Sequence, residues 1–230
     1  MQKQTTFTLA GALAGARQTL PLIVSTLAIG TVFGVLSRQK ALGIGEALLM
    51  SGLVFGGSAQ FLVLSLWGAS LPVLTIVIAT LVINIRYILM GSTLSPWFAR
   101  LSWLKTYGSL FFLSDESWAL MMRRADEEEH DGAFLFGSGL VLYLSWLAGT
   151  TIGQVLGSVV SNPAQWGLDF AFPAIFAALL VGMWKGKSDL LPWLVAAVVA
   201  VICAHLLPNE WYIVCGGLAG SIVGGLRDAA

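Results

Sequence analysis

Four ionisable side chains cannot easily be placed in the loops between the long apolar stretches of this sequence: Arg86, Asp115, Glu116 and Asp169. A charge at the centre of a lipid-facing helix costs at least about 2.5–3.5 kcal/mol, so we expect each of them to face protein or a water-filled cavity. Arg86 and Asp115 lie near the middle of two successive apolar stretches. Because a buried charge without a partner destabilises a fold, this spacing predicts an ion pair between them.

One arginine faces two adjacent carboxylates in this interpretation. Asp115 and Glu116 are separated by about 100° around a helix, so Arg86 pairs more closely with one of them. The other carboxylate is left for a proton, a cation or a substrate ammonium group, and burial favours its protonated form. Asp169 is predicted near the end of an apolar stretch, where a helix cap explains it as well as a role in the site does.

A second group of polar residues interrupts the apolar stretch 43–69, which reads Gly-Gly-Ser-Ala-Gln over residues 56–60. Adjacent glycines and polar side chains weaken a helix, and they predict a broken helix here. The second half-helix would start near Ser58, with backbone N–H groups of Gly57, Ser58 and Ala59 directed at an anionic group. The alternative is an intact, tilted helix that uses the glycine pair for close packing.

Three further polar side chains are candidates for contact with a substrate: Gln60, Asn84 and Tyr87. On an intact helix Asn84 and Tyr87 share a face, whereas Arg86 points away from Asn84. Helix N–H groups, a cation, an acid and surrounding apolar side chains together suit a small zwitterion with an apolar tail. Valine or leucine fits this description, and so do other small zwitterions.

The composition of the chain indicates the class of protein in which these residues lie. The chain has 230 residues, of which 57% are hydrophobic and 10% charged, with 12 Lys+Arg and 12 Asp+Glu. Soluble domains have about 25% charged residues, so a nucleic-acid binder, a disordered protein and an ordinary cytosolic enzyme are excluded. Both cysteines lie in apolar runs, which also excludes a secreted disulfide scaffold.

Continuous apolar runs, rather than short alternating ones, predict an all-α polytopic membrane bundle. The chain is predicted to be a single transmembrane domain (1–230), with an N-terminal interfacial segment (1–19) and an acidic cytoplasmic loop (123–132). The distribution of Lys and Arg predicts that both termini are cytoplasmic. About eight spans are predicted, at residues 20–36, 43–69, 71–95, 106–122, 134–160, 168–184, 189–207 and 211–226.

Two stripes of small residues four positions apart predict close helix–helix contacts, either within this chain or with another subunit. The stripes are Ser145, Gly149, Gly153 and Gly157, and Gly216, Gly220 and Gly224.

An enzyme is not expected. Residues 56–60 resemble the nucleophile motif Gly-x-Ser-x-Gly, but Gln60 replaces its last glycine. His205 lies near the end of a predicted span, and no paired ligands suggest a metal. We therefore expect no metal and no cofactor. A regulatory or metal contact through His130 in the acidic loop is the alternative to a simple solvated connector.

The polar motifs together resemble the AzlC family, the large subunit of bacterial branched-chain amino-acid exporters. The resemblance covers essentially the whole chain and rests on four segments: Gly-Gly-Ser-Ala-Gln-Phe (56–61), Asn-Ile-Arg-Tyr-Ile-Leu-Met-Gly (84–91), Ser-Asp-Glu-Ser-Trp-Ala-Leu (114–120) and Leu-Asp-Phe-Ala-Phe-Pro-Ala (168–174). Tyr87 stands where we expect histidine in this family, and Ser114 where threonine is commoner.

The resemblance implies proton-coupled export of hydrophobic amino acids across the bacterial inner membrane, with a small AzlD-type membrane subunit as partner. If the missing histidine helps to move protons in the family, Asp115 or Glu116 must do so here. A channel for small polar solutes and a non-transporting assembly subunit are the alternative functions.

Overall fold

The computed structural model describes residues 4–68, 71–124, 129–159, 177, 180–181, 184, 186–207 and 211–228. This part of the chain is almost entirely helical, which confirms the predicted all-α class. The exception is a pairing of two three-residue strands, β1 (Gln4–Thr6) and β2 (Glu129–Asp131), which run parallel.

The helices follow the predicted apolar stretches, with the predicted interruption between residues 54 and 57 and one further interruption between residues 110 and 115. They are α1 (Leu9–Thr19), α2 (Ile23–Gln39), α3 (Ile44–Val54), α4 (Gly57–Ser65), α5 (Val73–Thr93), α6 (Ser95–Phe98), α7 (Trp103–Leu110), α8 (Asp115–Met122), α9 (Ala133–Val159), α10 (Leu190–Leu206) and α11 (Trp211–Asp228). Short 3-10 turns at Leu20–Leu22 and Lys187–Asp189 precede α2 and α10.

Four helical stretches in the described part of the chain are long and apolar enough to cross a membrane. They are Leu9–Gln39, Val73–Thr93, Ala133–Val159 and Lys187–Leu206. The predicted count of about eight spans is therefore not confirmed. The predicted span 168–184 lies largely outside the described residues.

The N-terminal segment is not separated from the first predicted span. Helix α1 leads through the 3-10 turn into α2, and together they form the helical stretch Leu9–Gln39. Thr19, at the end of α1, is fully buried. That residues 1–19 lie at the membrane interface stays a prediction.

The described part of the acidic segment has a structural role that the sequence did not indicate. The carboxylate of Asp131 accepts hydrogen bonds from the backbone N–H of Thr8 (3.2 Å) and of Ala133 (2.9 Å). It therefore caps the start of α9, because the first N–H groups of a helix have no acceptor within it. It also holds Thr8, whose own hydroxyl accepts the N–H of Gly11 and caps α1.

The chain divides into two compact units, and each is described here by itself. The first comprises Met1–Gln60 and Arg86–Ser161, and the second comprises Phe61–Ile85 and Asn162–Ala230. The boundaries fall within α4 and α5.

The first unit is built around α9, which packs against α1, α2 and α3. A methyl group added to Gly149 would come within 2.5 Å of the carbonyl oxygen of Leu27, and one added to Gly153 would collide with the carbonyl oxygen of Thr31. This stripe therefore packs against α2 of the same chain, and the intrachain interpretation is confirmed. A second apolar cluster joins α8 and α9 to the segment after α5: Leu94, Trp97, Phe98, Leu113, Leu120, Met121, Phe134 and Leu135.

In the second unit α10 and α11 pack against each other. A methyl group added to Gly216 or Gly220 would come within 2.9 Å of atoms of Ala196. The second stripe of small residues therefore also serves packing within this chain. Leu62, Ala79 and Val214 form a buried apolar cluster in this unit.

Candidate functional site

The first interruption separates α3 from α4, as the glycine pair predicts. Helix α3 ends at Val54, Phe55 has the left-handed backbone angles φ 35° and ψ 50°, and α4 begins at Gly57. The break thus lies at residues 55–56, slightly before the predicted position. The first hydrogen bond of α4 runs from the N–H of Gln60 to the carbonyl of Gly56 (2.9 Å), so the preceding N–H groups of α4 have no acceptor within the helix.

A second interruption lies where the sequence predicted the continuous span 106–122, and that prediction is wrong. Helix α7 ends at Leu110 and α8 begins at Asp115. The hydroxyl of Ser114 accepts a hydrogen bond from the N–H of Ser117 (3.2 Å), and the hydroxyl of Ser117 accepts one from the N–H of Ser114 (2.8 Å).

These two serines start a new helix because their side chains replace the hydrogen bonds that a continuous helix would make. Asp115 therefore lies in the first turn of α8 rather than at mid-span. A serine followed by two acidic residues is a sequence signature of a helix start. Residues 114–116 carry this signature, but the apolar residues on both sides of it favoured the prediction of one continuous span.

Arg86 connects the two interruptions. Its Nη1 lies 3.0 Å from Oδ2 of Asp115, which confirms the predicted ion pair. Its Nη2 lies 3.3 Å from the hydroxyl oxygen of Ser58, in the first turn of α4. The guanidinium also lies over the ring of Tyr87, 5.2 Å from its centroid. One arginine from α5 thus joins the first turns of α4 and α8.

The structure distinguishes the two neighbouring carboxylates. The side chain of Asp115 is 46% exposed and pairs with Arg86, whereas Glu116 is exposed on the next position of α8. The expectation that Arg86 pairs unequally with them agrees with this arrangement. Asp115 is therefore the carboxylate that is coupled to the arginine.

Gln60 belongs to a fully buried polar chain in the first unit. Its Nε2 donates to the hydroxyl of Ser51 (3.1 Å), which lies 3.0 Å from the hydroxyl of Thr150 on α9. All three side chains have 0% exposure. The Oε1 of Gln60 and the Nε of Arg86 are buried and have no hydrogen-bond partner among the described residues.

Two predicted site residues lie outside the described part of the first unit. Asn84 belongs to the second unit, where its Oδ1 is buried without a hydrogen-bond partner in the described part of the chain. Asp169 lies outside the described residues.

A contact that the sequence did not indicate fixes α8 against α5. The indole N–H of Trp118 donates to the hydroxyl of Thr93 over 2.8 Å. Trp118 lies one turn after Asp115, and Thr93 lies two turns after Arg86 on α5. The helices that carry the ion pair are thus held together at a second point.

The electrostatics of this group favour an anionic ligand. The N-terminus of a helix carries a partial positive charge of roughly half a unit, and Arg86 contacts the first turns of two helices. Asp115 and Glu116 both lie in the first turn of α8 and offset the positive charge there, so the start of α4 beside Arg86 is the positive part of the group. Free N–H groups, a helix N-terminus and a guanidinium together are a general arrangement for binding a carboxylate or phosphate.

Comparison with known proteins identifies the family of the chain that carries these residues. The family described as AzlC protein matches residues 21–160, a range that covers more than half of the chain and includes both interruptions. The chain belongs to the AzlC family. The recognition from the sequence motifs is thus confirmed.

Relatives of this AzlC-family chain are found in bacteria and archaea. An uncharacterized membrane protein of Helicobacter pylori is 28% identical over 85% of this chain and 85% of its own length. Another, from Archaeoglobus fulgidus, is 28% identical over 92% of this chain and 93% of its own. The branched-chain amino acid transport protein AzlC of Bacillus subtilis is 27% identical over 74% of this chain and 66% of its own. No solved structure matches the chain.

These relatives and the apolar helices identify the chain as a helical membrane protein of a family that includes amino-acid transport proteins. The site lies in the matched region, since Ser58, Arg86 and Asp115 all fall within residues 21–160.

Proposed function

We propose that this AzlC-family protein exports branched-chain or other hydrophobic amino acids, such as valine, across the bacterial inner membrane. Export is coupled to proton movement and requires a small AzlD-type membrane subunit. Both termini of the chain lie on the cytoplasmic side. The observation that carries the proposal is the position of Arg86, which joins Ser58 of α4 to Asp115 of α8 at two helix interruptions.

The substrate carboxylate binds at the start of α4 beside the guanidinium of Arg86, where positive charge is concentrated. The N–H groups of Gly57, Ser58 and Ala59 lie at the start of α4, and the guanidinium of Arg86 is within hydrogen-bond distance of Ser58. A carboxylate bound here receives charge-assisted hydrogen bonds, which are roughly twice as strong as neutral ones. The apolar side chains around the site suit the aliphatic tail of valine or leucine.

The same geometry suggests how a proton is coupled to the substrate. The ammonium group of a bound amino acid needs an ionised carboxylate, and Asp115 supplies one beside Arg86. A proton on Asp115 removes that negative charge, so proton and substrate compete for this carboxylate. A proton binds from outside after the substrate is released there, and loss of the proton inside allows the next substrate to bind. Protons therefore move inward as substrate moves outward, as export driven by the proton gradient requires.

The concentration of charge at two helix interruptions supports a binding site rather than a continuous polar pore. Backbone groups freed at mid-membrane are tolerated where they line a cavity or bind a ligand.

Efflux measurements test this proposal. Cells that carry the chain and the small subunit are loaded with a valine-containing dipeptide, and the appearance of valine outside is followed. We expect Asp115→Asn to reduce efflux to the level of cells without the chain, although the protein still reaches the membrane. The matched control is Glu116→Gln, which removes the adjacent, exposed carboxylate and should retain most of the efflux.

Two results would contradict the proposal in different ways. Full efflux by Asp115→Asn would remove proton coupling through this residue. Absence of efflux from the unaltered chain together with its subunit, with both proteins present in the membrane, would favour a non-transporting assembly role.

A further inference from the structure

Tyr143, in the middle of α9, contacts both helix interruptions, although the sequence marked it only as part of an apolar span. Its hydroxyl donates a hydrogen bond to the carbonyl oxygen of Gly52 over 3.0 Å. Gly52 lies in the last turn of α3, where carbonyl groups have no N–H partner within the helix. Tyr143 therefore satisfies an acceptor that the first interruption sets free.

The ring of Tyr143 contacts aromatic residues from each interruption. Its centroid lies 5.2 Å from that of Phe55, which is the left-handed residue between α3 and α4. It lies 5.9 Å from that of Phe111 and 5.2 Å from that of Phe112, in the segment between α7 and α8. All three pairs have edge-to-face geometry at separations typical of favourable aromatic contacts.

This aromatic cluster, Phe55, Phe111, Phe112 and Tyr143, lies close to the Arg86 bridge along the chain. Phe55 is three residues before Ser58, and Phe112 is three residues before Asp115. Three residues span at most about 11 Å even when fully extended. Ser58 and Asp115, the two partners of Arg86, are thus attached by short segments to two of the three aromatic residues that contact Tyr143.

We propose that Tyr143 is a positioning residue that holds the two interruptions at a fixed separation, so that Ser58 and Asp115 are both within reach of Arg86. Its consequence for transport rests on the proposed function. The hydroxyl anchors the end of α3, and the ring connects that end to the segment before α8. The loss of either contact loosens the first interruption, and the loss of the ring loosens both.

Hydrogen exchange of the full-length protein in lipid nanodiscs tests the structural part. We expect Tyr143→Leu to speed amide exchange about tenfold in both residues 53–57 and residues 111–114, because hydrogen-bond and aromatic contacts are lost together. Tyr143→Phe keeps the ring and should speed exchange about threefold, mainly in residues 53–57. A change confined to one segment in Tyr143→Leu, or no change in either, overturns the proposal.

Valine binding and efflux per protein molecule in the membrane test the functional part. We expect Tyr143→Phe to raise the Kd for valine about threefold and to lower efflux to a similar extent, and Tyr143→Leu to have a larger effect. A residue that only stabilises the fold would lower the protein level without changing Kd. The matched control is Tyr107→Phe, because the side chain of Tyr107 is 67% exposed on α7.

The outcomes separate this inference from the proposed function. If the unaltered protein exports valine and both Tyr143 variants bind and export it normally, the inference is overturned and the proposed function stands. If the unaltered protein exports nothing, the proposed function fails, and hydrogen exchange still decides the role of Tyr143. If Tyr143→Leu does not reach the membrane, Phe55→Leu replaces it and should speed exchange in residues 111–114; normal exchange there overturns the inference.

Discussion

The first unit contains continuous helices and interrupted ones, and their backbone polar groups find hydrogen-bond partners in different ways. Helices α2 and α9 are continuous, and they approach closely enough that Gly153 lies against the carbonyl of Thr31. The segments 44–60 and 103–122 are interrupted, and side chains satisfy groups that the interruptions set free. Small residues allow the first arrangement, whereas serine, arginine and tyrosine side chains support the second.

The continuous helices α2 and α9 therefore form the structural scaffold of the unit, and the interrupted segments carry the candidate site. A continuous helix pair leaves no backbone group unpaired except at its ends, so it offers little to a polar ligand. The interrupted segments provide helix N-termini and, with α5, the Arg86–Asp115 pair, whose side chains are 26% and 46% exposed. We therefore expect substitutions in the α2–α9 pair to act mainly on folding, and those at the interruptions to act on ligand binding.

The largest effect is expected for Gly153→Ala. The added methyl group would collide with the carbonyl oxygen of Thr31 and would come within 2.8 Å of the Cα of Gly34, so the helices must separate. We expect a loss of about 3 kcal/mol in stability, seen as a lower unfolding temperature in detergent. The matched control is Gly91→Ala on α5, where no atom lies within 4 Å of the added carbon; equal destabilisation by both would contradict the tight-contact argument.

A smaller effect on stability is expected for two buried glutamines. Comparing them distinguishes a residue that only stabilises the fold from one that also supports ligand binding. Gln60 at the first interruption bonds Ser51, and Gln154 in the α2–α9 pair bonds Ser37 over 2.7 Å. Replacement of either by alanine removes a buried hydrogen bond and leaves a cavity, so each should cost about 2 kcal/mol in stability.

Both glutamines have a buried Oε1 that lacks a partner among the described residues. Only Gln60 lies in the first turn of α4, where the substrate carboxylate is proposed to bind, so only Gln60→Ala should also weaken valine binding. Thermal unfolding combined with the Kd for valine measures both quantities. Similar losses of binding in the two variants would assign Gln60 a purely architectural role.

The smallest effect is a gain in stability at the end of α2. Ala41 has φ 62°, and the N–H groups of Ala41 and Leu42 bond the carbonyls of Arg38 and Ser37. This is a helix end at which glycine is strongly preferred. Ala41→Gly should therefore raise the free energy of unfolding by about 0.5–1 kcal/mol without changing efflux. A decrease in the denaturation midpoint would contradict this assignment.

Much of the site was predictable because charges in an apolar chain are few. Arg86 and Asp115 could be paired by their depth in successive stretches, and the glycine pair at 56–57 identified the first interruption. The second interruption was missed because the apolar run 106–122 was interpreted by its composition, and the capping signal at Ser114 was not given weight against it. Tyr143 could not be found at all, since nothing distinguishes it along the sequence from an ordinary aromatic residue of a membrane span.

The amino-acid sequence alone determined that this chain is a helical membrane protein with a few interior charges, because membrane insertion depends on local hydropathy and a buried charge requires a partner. It also determined that the stripes of small residues lie at helix contacts. Only the tertiary structure decided which groups meet: Arg86 with the starts of both α4 and α8, and Tyr143 with the segments before them. These contacts join residues distant along the chain, and such pairings depend on how the helices pack rather than on any local pattern.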